Sequence, residues 1–202
     1  MRVISGSARG RTLKPVPGMG TRPTTDKVKE AIFSMIGPYF DGGMALDLFA
    51  GTGGLGIEAL SRGMERAVFI DADKRAVEIV QLNLQAARLA EQAEVYRNDA
   101  ERAIKVLAKK PDTRFRLVFL DPPYKLRDIE KLVGLLQSLQ LLEPEATILV
   151  EHEADYNCAE QIGDAVCTRR AQYGETAVSI YKLKLEEEVA EEEAGHHEQN
   201  QT

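Results

Sequence analysis

Apolar runs and amphipathic stretches alternate through the middle of this chain, and that alternation narrows the folds open to it. Strand-like runs fall at 44–49, 67–70, 93–96, 115–120 and 147–150, with helix-like stretches near 55–62, 74–89, 100–109 and 127–139 between them. Strand and helix in turn imply βαβ units and a parallel sheet covered by helices on both faces. The end changes character: two strand-like runs, 165–173 and 176–183, are separated by Gly174-Glu175, which reads as a hairpin. The expected fold is therefore α/β, with a mostly parallel seven-stranded sheet closed by a C-terminal β-hairpin. A small hairpin and helix precede it. Residues 1–5 and 11–16 read as short strands around the Gly6–Gly10 turn. Thr24 or Thr25 can cap a helix whose apolar positions are Val28, Ala31, Ile32 and Met35.

The 202 residues suit one domain with an appendage. Two cysteines, Cys158 and Cys167, exclude a disulfide framework and a four-cysteine zinc site. No apolar run approaches the ~18 residues of a membrane span, and the first residues carry no signal-peptide core. The expectation is a cytoplasmic protein without a membrane, metal-free, and by default a monomer. Cys158 and Cys167 read as small core residues, and His152 is assigned no role.

The segment Leu46-Asp47-Leu48-Phe49-Ala50-Gly51-Thr52-Gly53-Gly54-Leu55-Gly56 is the most informative. An apolar strand runs into glycines and a helix follows. Glycines there permit a tight turn and a close backbone approach to a ligand. No Gly-Lys-Ser/Thr follows, so a Walker loop is excluded. Gly51 to Gly56 match the dinucleotide spacing, but Asp47 just before them suits a cationic or amine-bearing ligand better than a pyrophosphate. The next strand ends at Asp71, about 20 residues past the loop, where an acid can hold ribose hydroxyls. Asp73 reads rather as a helix cap. Asp99-Ala100 follows the third strand; Asp99 can accept from an adenine amine or cap a helix, and either reading fits. Ligands in such sheets bind outside the carboxyl ends of the strands.

The fourth strand ends in Asp121-Pro122-Pro123-Tyr124. An exocyclic amine on a nucleobase is a poor nucleophile, because its lone pair is delocalised into the ring. Two acceptors, one for each N–H, favour a tetrahedral nitrogen. Asp121 supplies a carboxylate oxygen and Pro122 a carbonyl. Pro123 biases Pro122 toward an extended conformation and fixes its own φ. Fixed acceptors aimed at developing positive charge are electrostatic preorganisation. Tyr124 offers a stacking face worth ~1–3 kcal/mol. A paired base would first have to be flipped out.

Asp47-x-Phe49-x-Gly51-x-Gly53 resembles the first motif of S-adenosylmethionine-dependent methyltransferases with the Rossmann-like class I fold. Asp-Pro-Pro-Tyr is similar to the tetrad of amino-methyltransferases acting on nucleic acids or glutamine. Together with Arg9-Gly10-Arg11 and Thr21-Arg22-Pro23-Thr24, these segments resemble the RsmD family over residues 1–183. That resemblance implies S-adenosyl-L-methionine as cofactor. It implies a 16S rRNA substrate, naked or within a small-subunit assembly particle, methylated at guanine N2. Asp121, Pro122 and Tyr124 would be catalytic. Asp47, Phe49, Gly51, Gly53, Asp71, Asp99, Ala100 and Thr24 would hold the cofactor. Arg9, Arg11, Arg22 and Pro123 would meet the substrate. For Arg22 and Thr24 a helix entry is an equal reading. The competing functions are a DNA adenine-N6 methyltransferase and a non-catalytic nucleotide-binding ribosome-assembly module. A release-factor glutamine methyltransferase would more usually carry Asn in place of Asp121, and it would not need the basic front.

A net charge of -6 alone argues against a nucleic-acid partner. Its distribution does not. Residues 1–40 carry seven basic and two acidic residues, while 183–202 carry seven glutamates against Lys184. The expected organisation is a basic extension at 1–40, a methyltransferase domain at 41–183 and an acidic, disordered tail at 184–202.

Overall fold

The protein was described from a computed structural model covering residues 1–18, 25–123 and 128–184. Helix α1 (Asp26–Ile36) precedes the sheet. Then β1 (Met44–Asp47), α2 (Gly54–Ser61), β2 (Arg66–Asp71), α3 (Lys74–Ala87) and β3 (Ala93–Arg97) follow. The second half runs α4 (Ala100–Leu107), β4 (Phe115–Leu120), α5 (Ile129–Ser138) and β5 (Leu142–Glu153). It closes with β6 (Gln161–Ile162), β7 (Ala165–Tyr173) and β8 (Thr176–Leu183). The sheet order is β3-β2-β1-β4-β5-β8-β7-β6. The first five strands pair in parallel, and β8, β7 and β6 add on antiparallel. The expected seven strands are present, and β6 is an eighth of only two residues. It turns into β7 across Gly163, whose φ is 58°; two residues are too short to show a period.

Side-chain alternation along the strands divides the core in two. Leu46, Val68, Val118 and Ile148 face α4 and α5. Ala45, Phe69, Phe119 and Leu149 face α1, α2 and α3. Gly56 is what lets α2 lie close to the sheet: a Cβ there would meet the Phe69 ring at 2.3 Å. Among the described residues, no helix is long and apolar enough to cross a membrane.

The front of the chain departs from expectation. Instead of two strands it makes one bridge, Arg2 to Thr12. It packs as a strap along α2, burying Val3, Ala8 and Leu13 in the core that holds Ile32 and Phe33 of α1. Ser7 and Ala8 N–H groups donate to the backbone oxygen and Oγ of Ser61 at 2.8 and 2.9 Å. Ile4 and Ser5 N–H groups donate to Glu58 at 2.9 and 3.0 Å. Glu58 also pairs with Lys29 at 3.1 Å and Arg62 at 2.8 Å, all three side chains being almost fully buried. Lys29, counted in the sequence among the basic front, is thus a core residue. Thr25, not Thr24, is the cap of α1; its Oγ1 accepts from Val28 N at 3.3 Å.

Strand β5 is longer than the 147–150 run. Glu143-Pro144-Glu145 breaks the apolar pattern, and the strand absorbs it with a register shift opposite 115–117 and a φ of 60° at Glu145. His152 therefore lies within β5. Its ring nitrogens engage Ser179 Oγ at 2.9 Å and the Glu153 carbonyl at 2.7 Å, a structural role.

Candidate active site at the carboxyl ends of the strands

Strand order reverses between β1 and β4, so helices leave on opposite faces and a crevice opens at the carboxyl ends there. Asp47, the glycine loop, Asp71 and Asp121 all fall at those ends.

The loop is shaped by backbone that favours glycine. Gly51 and Gly53 have φ of 53° and 78°. Gly53 is the N-terminal cap of α2. A Cβ on Gly51 would meet nothing within 4 Å, so the loop presents bare backbone to open space. Asp71 holds the loop in place. Its Oδ2 accepts from Gly51 N at 2.9 Å and its Oδ1 from Asp73 N at 2.8 Å. A carboxylate has about four lone-pair sites, so two remain for a ligand's hydroxyls. Asp73 caps α3 through Arg75 N at 2.8 Å, as the sequence suggested.

Asp47 is buried and accepts from Gly56 N at 3.2 Å. Burial pushes its pKa up to about 7, the Gly56 N–H opposes, and Asp71 adds to the rise. Phe49 is half-buried against the α4–α5 core. Asp99 is a helix cap: Oδ1 accepts from Glu101 and Arg102 N–H groups at 3.1 and 3.2 Å. Ala100 opens α4 and is buried.

Asp121 follows β4 directly. Desolvation, the Glu151 carboxylate and Asp47 raise its pKa well above the usual carboxylate range. Pro122 is buried and Pro123 exposed. Tyr124, Arg22 and Thr24 lie outside the described residues.

Glu151 was missed by the sequence reading. Leu120 pairs with Val150, so Asp121 and Glu151 are the next residues on adjacent parallel strands. Alternation puts Asp47, Asp121 and Glu151 on the same face of the sheet as Ala45, Phe119 and Leu149. The signal was an acid ending an apolar run, as at Asp47, Asp71 and Asp121.

Arg9 and Arg11 are exposed but not at the crevice. Their turn docks on Ser61, at the far end of α2. The seven-residue rise from Gly54 to Ser61 puts that end about 10 Å along the helix from the glycine loop.

Comparisons with known proteins agree with this geometry. Residues 1–182 match the family model described as conserved hypothetical protein 95. A Bacillus subtilis protein, the candidate rRNA methyltransferase YlbH, is 57% identical over 91% of this chain and 100% of its own length. Ribosomal RNA small subunit methyltransferase D of Escherichia coli is 34% identical over 93% of this chain and 92% of its own. The solved structure of a candidate methyltransferase, yhhF, from Escherichia coli superposes with a TM-score of 0.77 at 33% identity, covering 92% of this chain and 99% of that one.

Proposed function

Because this chain belongs to the family described as conserved hypothetical protein 95, the RsmD family of rRNA methyltransferases, we propose that it methylates N2 of a guanine in 16S rRNA. The observation that carries this reading is Asp121-Pro122-Pro123 at the end of β4, beside the glycine loop of β1.

S-adenosylmethionine, when bound, supplies a methyl group on a positively charged sulfur. The residues present fit such a ligand: bare backbone at Gly51, an acid with lone pairs to spare at Asp71, and a buried acid at Asp47. Asp71 holds the ribose, and Asp47 favours the cationic amino-acid end. Phe49 and Ala100 line the apolar side. Oδ1 of Asp99 serves the helix cap, which leaves Oδ2 for the adenine amine. Asp121 and the Pro122 carbonyl accept the two N–H bonds of the target amine, which exposes its lone pair for attack. The Asp121 carboxylate also stabilises the positive charge that grows on nitrogen. Pro123 and Tyr124 meet the base itself.

We assign residues 1–40 to RNA contact and 41–183 to the catalytic domain. The acidic segment, described only at Lys184, is left without a role. For Arg9 and Arg11 to reach phosphates, RNA leaving the crevice must follow α2 toward Ser61. Each phosphate contact would steepen the salt dependence of binding.

Incubation with labelled S-adenosylmethionine and undermethylated small subunits, naked rRNA or DNA tests the reading. Label is expected on guanine N2 of the small-subunit rRNA. Label on adenine, or on DNA or protein alone, overturns it.

The shifted Asp47 gives a second check. A cationic ligand prefers the ionised carboxylate, which is present only above a pH of about 7. S-adenosylhomocysteine affinity should therefore rise about tenfold between pH ~6 and ~8. Asp47→Asn should flatten that profile. The sign is opposite for stability of the ligand-free protein, where a raised carboxyl gives stability that is lost as pH climbs from about 4 through about 7. A flat wild-type titration would remove Asp47 from the cofactor site.

A further inference from the structure

We propose that Glu151 selects guanine by accepting the N1–H of the target base. The inference deepens the guanine-N2 reading above and rests on it.

The placement follows from the sheet. The glycine loop and Asp71 lie at the ends of β1 and β2, so the cofactor occupies that side of the crevice. Asp121 takes the amine at the end of β4. The ring bearing that amine must extend away from the cofactor, which is toward β5, because β5 flanks β4 on the other side. Adjacent strands lie about 4.8 Å apart. The residue in register beyond Asp121 is Glu151, on the same face. Raising of the Asp121 pKa by Glu151 is in keeping with this proximity. Acceptors one strand apart suit a ligand that presents adjacent donors to both.

Guanine brings them. Its N1–H and N2–H groups are adjacent donors on one edge of the ring. Asp121 and the Pro122 carbonyl take the two amine hydrogens, and Glu151 takes N1–H. Adenine in the same pose keeps an amine for Asp121 but turns the N1 lone pair toward Glu151. A carboxylate facing a lone pair repels it, and nothing compensates the loss of the hydrogen bond. A site built to bond a polar group rejects analogues that lack it far more strongly than it rejects a change of size.

The experiment uses 2-aminopurine, which retains the amine but has a lone pair at N1. Small subunits are reconstituted with rRNA bearing guanine or 2-aminopurine at the methylated position, and kcat/KM is measured on each. Wild-type enzyme should prefer guanine by about 10- to 100-fold, the range for a hydrogen bond to a charged group. Glu151→Gln can turn its amide to donate to the lone pair, so the preference should fall to within a few fold, with S-adenosylhomocysteine affinity unchanged. An undiminished preference in Glu151→Gln overturns the proposal. Equal wild-type rates on the two bases overturn it without any variant. Wild-type enzyme that methylates no guanine at N2 instead brings down the parent reading, and this one with it.

Discussion

Asp121→Ala will bind S-adenosylhomocysteine as the wild type does and lose about 100- to 1,000-fold in kcat, the cost of deleting one preorganised electrostatic partner of a transition state. The separation is expected because Asp121 sits at the end of β4, while the contacts proposed for the cofactor come from the ends of β1, β2 and β3. Asp121→Asn retains an acceptor oxygen but no charge, so its turnover should fall between the two. The same variant should melt higher than wild type near pH 8. Burial, Glu151 and Asp47 raise the Asp121 pKa, so the folded state loses stability as pH climbs from the ordinary carboxylate range to that raised value, and the loss is complete above it. A residue that lowers stability and raises rate is the usual signature of an active site. Equal loss of binding and turnover in Asp121→Ala would make Asp121 a scaffold residue.

The second large effect concerns the fold. Glu58→Ala should destabilise the protein by about 3–5 kcal/mol, as expected when one partner of a buried ion pair is removed. That is a large share of the roughly 5–15 kcal/mol that holds a domain together. Glu58 receives Lys29, Arg62 and the Ile4 and Ser5 N–H groups. Burial already holds the Lys29 amine below its usual pKa, with Glu58 the main opposing influence. Without Glu58, Lys29 keeps the Arg2 carbonyl at 2.6 Å as its hydrogen-bond acceptor among the described residues, and Arg62 keeps the Pro38 carbonyl and the Phe33 ring face. Urea denaturation of the wild type, Glu58→Ala and the double variant Glu58→Leu/Lys29→Met checks this. The double variant removes an opposite-charge pair together, so it should recover part of the loss. A Glu58→Ala cost under ~1 kcal/mol would mean that the ion triad is not what fastens the front strap.

The parallel half of the sheet was legible because its strands carry short apolar runs, four of them closed by an acid at Asp47, Asp71, Asp121 and Glu151. Each core-facing helix also carries its apolar residues at helical spacing. Asp71 could be preferred to Asp73 because only one of them ends the strand, and the other does cap α3. Three features were out of reach. Asp99 looked the same as a cap or a ligand, and only its bonds to Glu101 and Arg102 show that it caps. Glu151 ends the apolar run 147–150, but its place beside Asp121 follows only from the register of β5 against β4, which the local pattern does not carry. Arg9 and Arg11 carry charge that composition counts, yet which end of α2 receives their turn depends on Ser61, more than fifty residues away. Local pattern sets elements; register and docking are set by distant partners.

The position of β8 has a consequence for synthesis. It is the last strand among the described residues, yet it lies inside the sheet, flanked by β5 and β7. Until residues 176–183 have left the ribosome, β5 presents an unpaired edge from Thr147 to Glu153, and β7 lacks its partner. An open edge of that length is a template for wrong pairing, and domains fold as units as they emerge. Insertion of β8 is therefore the closing step. A nascent chain of this protein would bear an assembled glycine loop and Asp-Pro-Pro motif while its sheet was still unfinished, and β5 would gain its partner only once β8 had left the ribosome.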